Sequence, residues 1–378
     1  MKNRIILVSI SIVLVIGLIF VLNNETKKTF VIDGIKYAVN LDGEVVSTVP
    51  SKGLYEVAVT CENATGKWDY DNWKLKLTNM TNEKAKCSLD FTTITKINLN
   101  DYIISLSGTE QGTGQVVNEN GYRYEGKNPN NYTWFNNELW RIIGVFDEDS
   151  HGVSGQHLVK IIREESIGTL AWDKSETNDW SASSLKSLLN GAYYDWKSNK
   201  SGVSTYCYGV LSIPSNCDYS EIGINDIYRN MIQEVTWYLR GYSSTSATVE
   251  SFYNYERTTG TVYSGRPTET TGYIGLMYPS DYGYSVLASS CARTTNLVSY
   301  NSSSCAGQSW LYNAKDEWTI TPRSSYSYYV FNLNNNGNLN NNNFADVGNS
   351  IRPVLYLSTS VYKITGDGTI SNPYIIGM

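Results

Sequence analysis

The chain has 378 residues, a net charge of -6 at pH 7, 30 Tyr, 10 Trp and only 17% charged residues. That length allows two or three domains, and a hydrophobic content of 41% is ordinary for a chain that builds cores. An acidic balance without a basic stripe excludes a nucleic-acid-binding surface of the usual kind. Abundant Tyr and Trp suit strands and also contact surfaces, because these rings give large area at low side-chain entropy.

The first element is an anchor. Lys2 and Arg4 precede residues 5–22, a run without a charge or a proline. Roughly 18 mostly apolar residues is about the minimum that crosses a bilayer. The flanking basic residues stay inside, so the remainder lies outside. Residues 1–25 therefore read as a single-pass transmembrane helix in the membrane of a bacterial-type cell, with the C-terminal ectodomain outside. The alternative is a cleaved signal peptide, but Phe20, Val21, Leu22, Asn23 and Asn24 make a poor cleavage site. Both readings export the rest of the chain.

Residues 28–95 read as a small all-β, sandwich-like stalk. Short β-prone runs at 31–32, 35–39, 45–46, 55–60, 73–77 and 87–91 are punctuated by turn signals at Asp33-Gly34, Asp42-Gly43 and Asn63 to Gly66. Leu75 and Leu77 alternate with Lys74, Lys76 and Thr78, as in a half-buried strand. Cys61 and Cys87 fall on or beside two of these runs, where a bridge would staple a sandwich.

The six cysteines form three local pairs: Cys61 and Cys87, Cys207 and Cys217, Cys291 and Cys305. Sequence cannot select one pairing among the many that six cysteines allow. Export permits disulfides, and sequential pairing needs the least rearrangement. A zinc site would want two-residue Cys spacings or His partners, and neither occurs. The two histidines, His151 and His157, sit in a Gly/Ser-rich stretch and read as surface-loop residues.

Residues 96–378 read as a second domain. Strands are expected at 122–124, 132–135, 139–146 and 158–163, with Asn136-Asn137 as a hairpin turn. A helix over 183–196 follows, capped by Ser181 or Ser183 and apolar along Leu185, Leu188, Leu189 and Ala192. Ile227, Met231, Val235 and Leu239 at four-residue steps predict a second helix over 225–239, ended by Gly241. Beyond Ser243 the pattern reads as strands and long loops, with strands at 273–278, 318–320, 328–333 and 352–357 and a loop over 279–310.

Several segments of this domain carry a resemblance. Gly121 to Gly126, Trp134 to Phe146, Ala171-Trp172-Asp173, Gly275 to Tyr284, Glu317 to Pro322, Ile351 to Leu357, and Gly366-Asp367-Gly368 before Asn372-Pro373-Tyr374 occur in an order seen in exported proteins of gut Firmicutes and their phages. Roughly 250 residues are covered. Domains of that family are thought to be C-type-lectin-like. They are similar to formylglycine-generating-enzyme-like modules and to the variable proteins of diversity-generating retroelements. The resemblance implies a C-type-lectin-like fold for this domain, so that with the transmembrane anchor and the all-β stalk the chain is expected to be α+β.

The chemistry of the relatives is tested residue by residue. Formylglycine-generating enzymes bind copper through an active-site cysteine pair; Cys291 and Cys305 are the nearest candidates, in a polar Ser/Thr/Asn loop. Calcium-dependent lectins carry an acidic-Pro-Asn or Gln-Pro-Asp triplet followed by Trp-Asn-Asp, and neither is present. No Gly-x-Ser-x-Gly frame occurs, and the carboxylates are scattered. No cofactor and no catalytic residue are expected. Arg352, before Pro353, would pair with a core carboxylate such as Asp281 or Glu317.

The most unusual stretch is residues 326–343. It holds Tyr326, Tyr328 and Tyr329, then Asn332, Asn334, Asn335, Asn336, Asn338 and Asn340 to Asn343. Asn336-Gly337 signals a two-residue hairpin turn. One face would carry Tyr329, Phe331 and Leu333; the other, Val330, Asn332 and Asn334. A hairpin of Asn amides and Tyr rings has the donors, acceptors and flat area of a recognition surface. In the retroelement relatives the variable segment lies near the C-terminus, and adenine-directed mutagenesis acts most on AAY codons, which encode Asn. A polar loop, with Asn serving only turns, is the plain alternative.

The expectation is an adhesin-like, membrane-anchored ectodomain that binds an extracellular protein or glycan, without catalysis. Its candidate ligand-binding residues are Tyr326, Tyr328, Asn332, Asn334, Asn338, Asn340 and Asn342. A structural envelope or pilus-like subunit and a formylglycine-generating-type enzyme are the rival readings.

Overall fold

The computed structural model describes residues 6–7, 29–32, 35–53, 55–70, 72–80, 84–93, 96–195, 206–209 and 213–378. The chain divides into two compact units, Met1–Lys96 and Ile97–Met378. No helix among the described residues is long and apolar enough to cross a membrane. The expected anchor lies outside the described residues apart from Ile6–Leu7, whose backbone pairs with Leu77 and Lys76.

In the first unit, Thr29–Ile32, Ile35–Leu41, Lys86–Thr93 and Tyr55–Glu62 form a sheet in that order, and Glu44–Val46 adds to Ile35–Leu41. A hairpin of Thr65–Asp69 and Lys74–Thr78 supplies the other side of the core. Leu75 and Leu77 point inward while Lys76 and Thr78 stay exposed, so the period of two is real. Trp68 meets Phe91 edge-on at 5.1 Å, and Val39, Leu77 and Leu89 fill the space around them. The Asn63 to Gly66 stretch is only in part a turn. Thr65 already begins a strand, because burying Trp68 against the sheet outweighs the weak propensity of Gly66 and Lys67.

All six cysteines are in disulfides, paired sequentially. Cys61 and Cys87 are direct partners in the register of two neighbouring strands, with Cα atoms 4.1 Å apart. Their bridge therefore staples one sheet and does not join two, which corrects the sandwich-stapling expectation.

The second unit is mixed α+β and mostly sheet. Its central strand, Glu138–Phe146, is buried from Trp140 onward. Such a strand reads as a nearly continuous apolar run because both faces are covered. It pairs with Tyr122–Gly126, Tyr132–Phe135 and Leu158–Arg163. The turn at Asn136 and Asn137 takes φ values of 57° and 63°, as a two-residue primed turn requires. Tyr374–Gly377 adds in parallel to Tyr132–Phe135, and Val354–Leu357 adds to Leu158–Arg163. The resulting 12-stranded sheet curls into a half-barrel.

A separate five-stranded sheet runs in the order Thr169–Ala171, Gly348–Ser350, Glu317–Pro322, Tyr329–Leu333, Leu339–Phe344. The asparagine-rich hairpin is its edge.

The helices differ from expectation in instructive ways. Ser183 caps Ser184–Leu188, its hydroxyl accepting from the Lys186 N–H at 3.1 Å, and helical backbone continues to Asp195. The second predicted helix is absent. Only Asp226–Arg229 is helical, followed by strands Ile232–Gln233 and Val235–Tyr238. Ile227 is 66% exposed, whereas Val235, Trp237 and Leu239 are buried at every second residue. The period of two overrides the apparent period of four, and Gly241 joins a bridge to Thr261 and caps no helix. Two helices lie where loops were expected. Val249–Asn254 is capped by Thr248, whose hydroxyl accepts from the Ser251 N–H. Pro279–Tyr284 starts with Pro at its first position, where the missing N–H is not needed. His151 is also not a surface residue. It is fully buried, with Nε2 3.0 Å from the Phe146 carbonyl and its ring against Tyr356. His157 is exposed.

The two sheets of this unit share one hydrophobic core, and a buried ion pair lies where they meet. Arg352, just before Val354–Leu357, holds both oxygens of Glu317 at 2.7 and 2.9 Å. It also donates to the Leu311 carbonyl at 2.7 Å, and Asn313 donates to Glu317 Oε2 at 2.7 Å. Both ionised side chains are buried and bidentate, the geometry in which such a pair resists breaking. Replacing Arg352 by Ala leaves the buried Glu317 carboxyl without its guanidinium partner, so the variant is expected to lose about 3–5 kcal/mol in denaturant unfolding. An unchanged midpoint would contradict the clamp.

Candidate recognition surface

The hairpin pairs Tyr329–Leu333 with Leu339–Phe344. Its turn is longer than the two residues expected. Asn334 N–H bonds the Asn338 carbonyl at 2.9 Å, and Gly337 N–H bonds the Asn334 carbonyl at 2.8 Å, so residues 334–338 make the reversal. Gly337 has φ of 95°, and a Cβ there would sit 2.3 Å from the Ala306 side chain. Backbone freedom and space both demand glycine.

This turn is docked onto the protein. Asn338 Nδ2 donates to the carbonyls of Val298 and Tyr300 at 2.7 and 2.6 Å. Tyr282 and Tyr312 hydroxyls reach the carbonyls of Gly337 and Asn335 at 2.8 and 2.7 Å. Ser302 N–H reaches the Asn336 carbonyl at 2.8 Å. The turn end of the hairpin is thus used for attachment, through the loop closed by the Cys291–Cys305 disulfide.

The two strands are not the open, two-faced ribbon expected from alternation. Val330, Phe331, Asn332 and Leu333 are all buried, so both faces of that strand are covered. Asn332 is 0% exposed; its Oδ1 accepts from Asn340 Nδ2 at 3.0 Å and its Nδ2 donates to the Leu333 carbonyl at 3.2 Å. Asn334 lies within 3.5 Å of the same amide. Four of the seven expected ligand-binding residues, Asn332, Asn334, Asn338 and Asn340, therefore have structural partners inside the protein. Buried amides satisfy one another because an unpaired polar group in the interior is costly.

The other end of the hairpin is different. Tyr326 and Phe344 are each 40% exposed, and Asn342 is exposed beside them in sequence. The Tyr328 and Phe344 rings stack at 5.5 Å with 13° between planes. Tyr329 packs edge-on against both, at 4.6 and 4.9 Å, and Tyr326 lies 5.2 Å from Tyr329. The Arg323 guanidinium lies over Tyr326 at 4.5 Å. A cluster of aromatic rings at the surface, with a cation over two of them, is an unusual use of exposed apolar area.

Three devices place this cluster. Tyr329 and Phe344 are cross-strand partners, which brings the rings together. The register then slips, so that Asn341 and Asn342 both stand opposite Phe331. Such bulges on edge strands redirect side chains and blunt strand-to-strand aggregation. Lastly, Asn178 collects the preceding loop: its Nδ2 donates to the carbonyls of Arg323, Tyr326 and Tyr329 at 2.7–3.0 Å. Arg323 and Asn341 both reach the Ser243 carbonyl, at 3.1 and 3.4 Å, tying a second loop to the site.

Sequence reading found Tyr326, Tyr328 and Asn342 of this surface. It missed Arg323, Phe344 and Asn178. Phe344 was accessible in principle, since a hairpin centred near Gly337 places it opposite Tyr329. Asn178 gave no signal, because its three acceptors belong to a remote loop.

Among the described residues no group of three or more His, Cys, Asp or Glu side chains converges in a metal-binding arrangement. Cys291 and Cys305 are bonded to each other. Comparison with family models, with curated proteins and with solved structures returns no match.

The division of the hairpin makes a direct prediction. Asn332→Ala strands the Asn340 amide and should lower stability by about 1–3 kcal/mol. Asn342→Ala should stay within about 0.5 kcal/mol of the parent. Thermal unfolding of both variants checks it, and equal effects would contradict the division.

Proposed function

We propose that this chain is an exported binding protein that recognises an extracellular protein or glycan through the ring cluster at the base of its C-terminal hairpin. The observation that carries this reading is the stack of half-buried Tyr328 on exposed Phe344, flanked by Tyr326, Arg323 and Asn342. Rigid aromatic rings bind with little entropy loss, and Arg and Asn beside them supply direction through hydrogen bonds. Three closed disulfides are consistent with an exported protein. The anchor at residues 1–25 would keep it on the cell membrane. The sequence resemblance to the C-type-lectin-like variable proteins supports the same reading, since in those proteins the variable segment lies just before the closing strand.

Within this reading, diversification would act where the fold tolerates it. Tyr326, Tyr328, Asn342 and Phe344 are the positions free to vary. Asn332, Asn338 and Asn340 are needed in place.

The test is a screen of residues 29–378 against glycan and cell-surface protein arrays, beside variants Tyr326→Ala, Tyr328→Ala and Phe344→Ala. The parent should bind, and each variant should lose roughly tenfold or more in affinity while keeping its melting temperature. Binding retained by all three variants would refute the site. No binding by the parent would move weight to a structural envelope subunit.

A further inference from the structure

A second feature is not used by the recognition surface. Leu158–Arg163 carries Lys160 into the middle of the half-barrel sheet, and Pro279–Tyr284 brings Asp281 against it. Both side chains are fully buried, and Lys160 Nζ lies 2.5 Å from Asp281 Oδ2. Asp281 is the single hydrogen-bond acceptor of that amine among the described residues. The rings of Phe146, Trp237, Tyr278 and Tyr356 enclose it, with centroids 4.6–5.8 Å away. The other carboxylate oxygen, Oδ1, accepts from Arg123 Nη1 at 3.2 Å, and Oδ2 also accepts the Tyr278 N–H at 2.9 Å.

The charges around this contact do not balance. Arg123, Lys160 and Arg257 face two carboxylates, Asp281 and Glu256, and all five are buried. An ammonium here has three donors, one acceptor and aromatic walls. Passage of one proton from Lys160 to Asp281 removes one charge of each sign and leaves Arg123 and Arg257 facing Glu256. Burial lowers the Lys160 amine to about 8, against the pull of Asp281. Burial alone would raise Asp281, but Lys160 and then Arg123 outweigh it and hold its carboxyl below the ordinary value.

We propose that the folded protein joins Lys160 and Asp281 by an amide bond between Nζ and Cγ. The step needs no outside reagent. A proton passes from Nζ to Oδ2 along their hydrogen bond, giving a neutral amine and a carboxylic acid. The Nζ lone pair adds to Cγ, and negative charge gathers on Oδ1, where Arg123 already donates. The tetrahedral centre then collapses. The C–Oδ2 bond breaks, and Oδ2 leaves as water with the first proton and a second one from Nζ. One C–N bond forms, one C–O bond breaks and one water departs; nothing is oxidised or reduced.

Two physical effects favour the reaction here and oppose it in water. The fold holds nucleophile and electrophile in contact, which replaces a bimolecular encounter by an intramolecular one. The dry, ring-lined site penalises the ion pair and does not stabilise the departing water. The amide oxygen still accepts from Arg123. The bond would close a loop between residues separated by 121 positions. That staple lies between a core strand and a helix, where no disulfide reaches.

The full chain should be reduced, alkylated and digested with trypsin, and its peptides weighed. The expected result is a branched peptide containing Lys160 and Asp281, lighter by one water than the sum of its two linear parts, with no cleavage after Lys160. Lys160→Arg keeps the charge and should abolish the branched peptide and lower the melting temperature. If that variant does not fold, the parent's peptide map decides alone. Full recovery of both linear peptides from folded parent protein, with cleavage after Lys160, would overturn the proposal and leave an ion pair only.

Discussion

Arg352 holds Glu317 where the sheet that carries the C-terminal hairpin meets the half-barrel. The five-stranded sheet that carries the hairpin is separate from the half-barrel, and this pair connects them. Arg352 stands at the entry to Val354–Leu357, a strand of the half-barrel, and Glu317 opens Glu317–Pro322, the middle strand of the smaller sheet. A buried bidentate pair is directional in a way that apolar packing is not. It fixes the start of the middle strand of the smaller sheet against the half-barrel, beside the core the two sheets share. Attachment of the turn through Asn338, Tyr282 and Tyr312 then locks the far end.

With both ends held, the asparagines take two roles that composition alone cannot separate. An Asn amide presents a donor and an acceptor at the end of a short side chain, so it substitutes for a backbone group wherever the chain has none. Asn338 does this for Val298 and Tyr300, Asn178 does it for the loop before Tyr329, and Asn332 and Asn340 do it for each other. The same residue type at Asn342 has no such task and faces solvent. An asparagine-rich segment is therefore partly a framework and partly a surface. The bulge opposite Phe331 is where one role gives way to the other.

Much of the fold was legible because strands with both faces buried are long and apolar. Tyr132–Phe135 and Leu158–Arg163 have the ends expected for them, and Glu138–Phe146 differs by one residue. The predicted 225–239 helix failed for a physical reason. Val235 to Leu239 fits a period of four as well as a period of two, and only the half-barrel decides between them. His151 looked like a loop residue from its glycine and serine neighbours, yet its imidazole ends a short helix and seals against Tyr356. The ring cluster at the base of the hairpin was half legible. Its tyrosines are adjacent in sequence, while Phe344 and Arg323 join them only through strand pairing and loop folding. Which asparagines point inward depends on the slip in register, which leaves no mark in the sequence.

The central claim is that one hairpin contains a fixed framework and a free surface. A saturation scan of residues 323–344, displayed on cells and sorted only for protease-resistant folding, tests it most directly. The account predicts strong depletion at Asn332, Gly337, Asn338 and Asn340, with broad tolerance at Tyr326, Tyr328, Asn342 and Phe344. Tolerance at Asn332 and Asn338 together with depletion at Tyr328 and Phe344 would contradict it, and would make the ring cluster part of the fold and not its binding face.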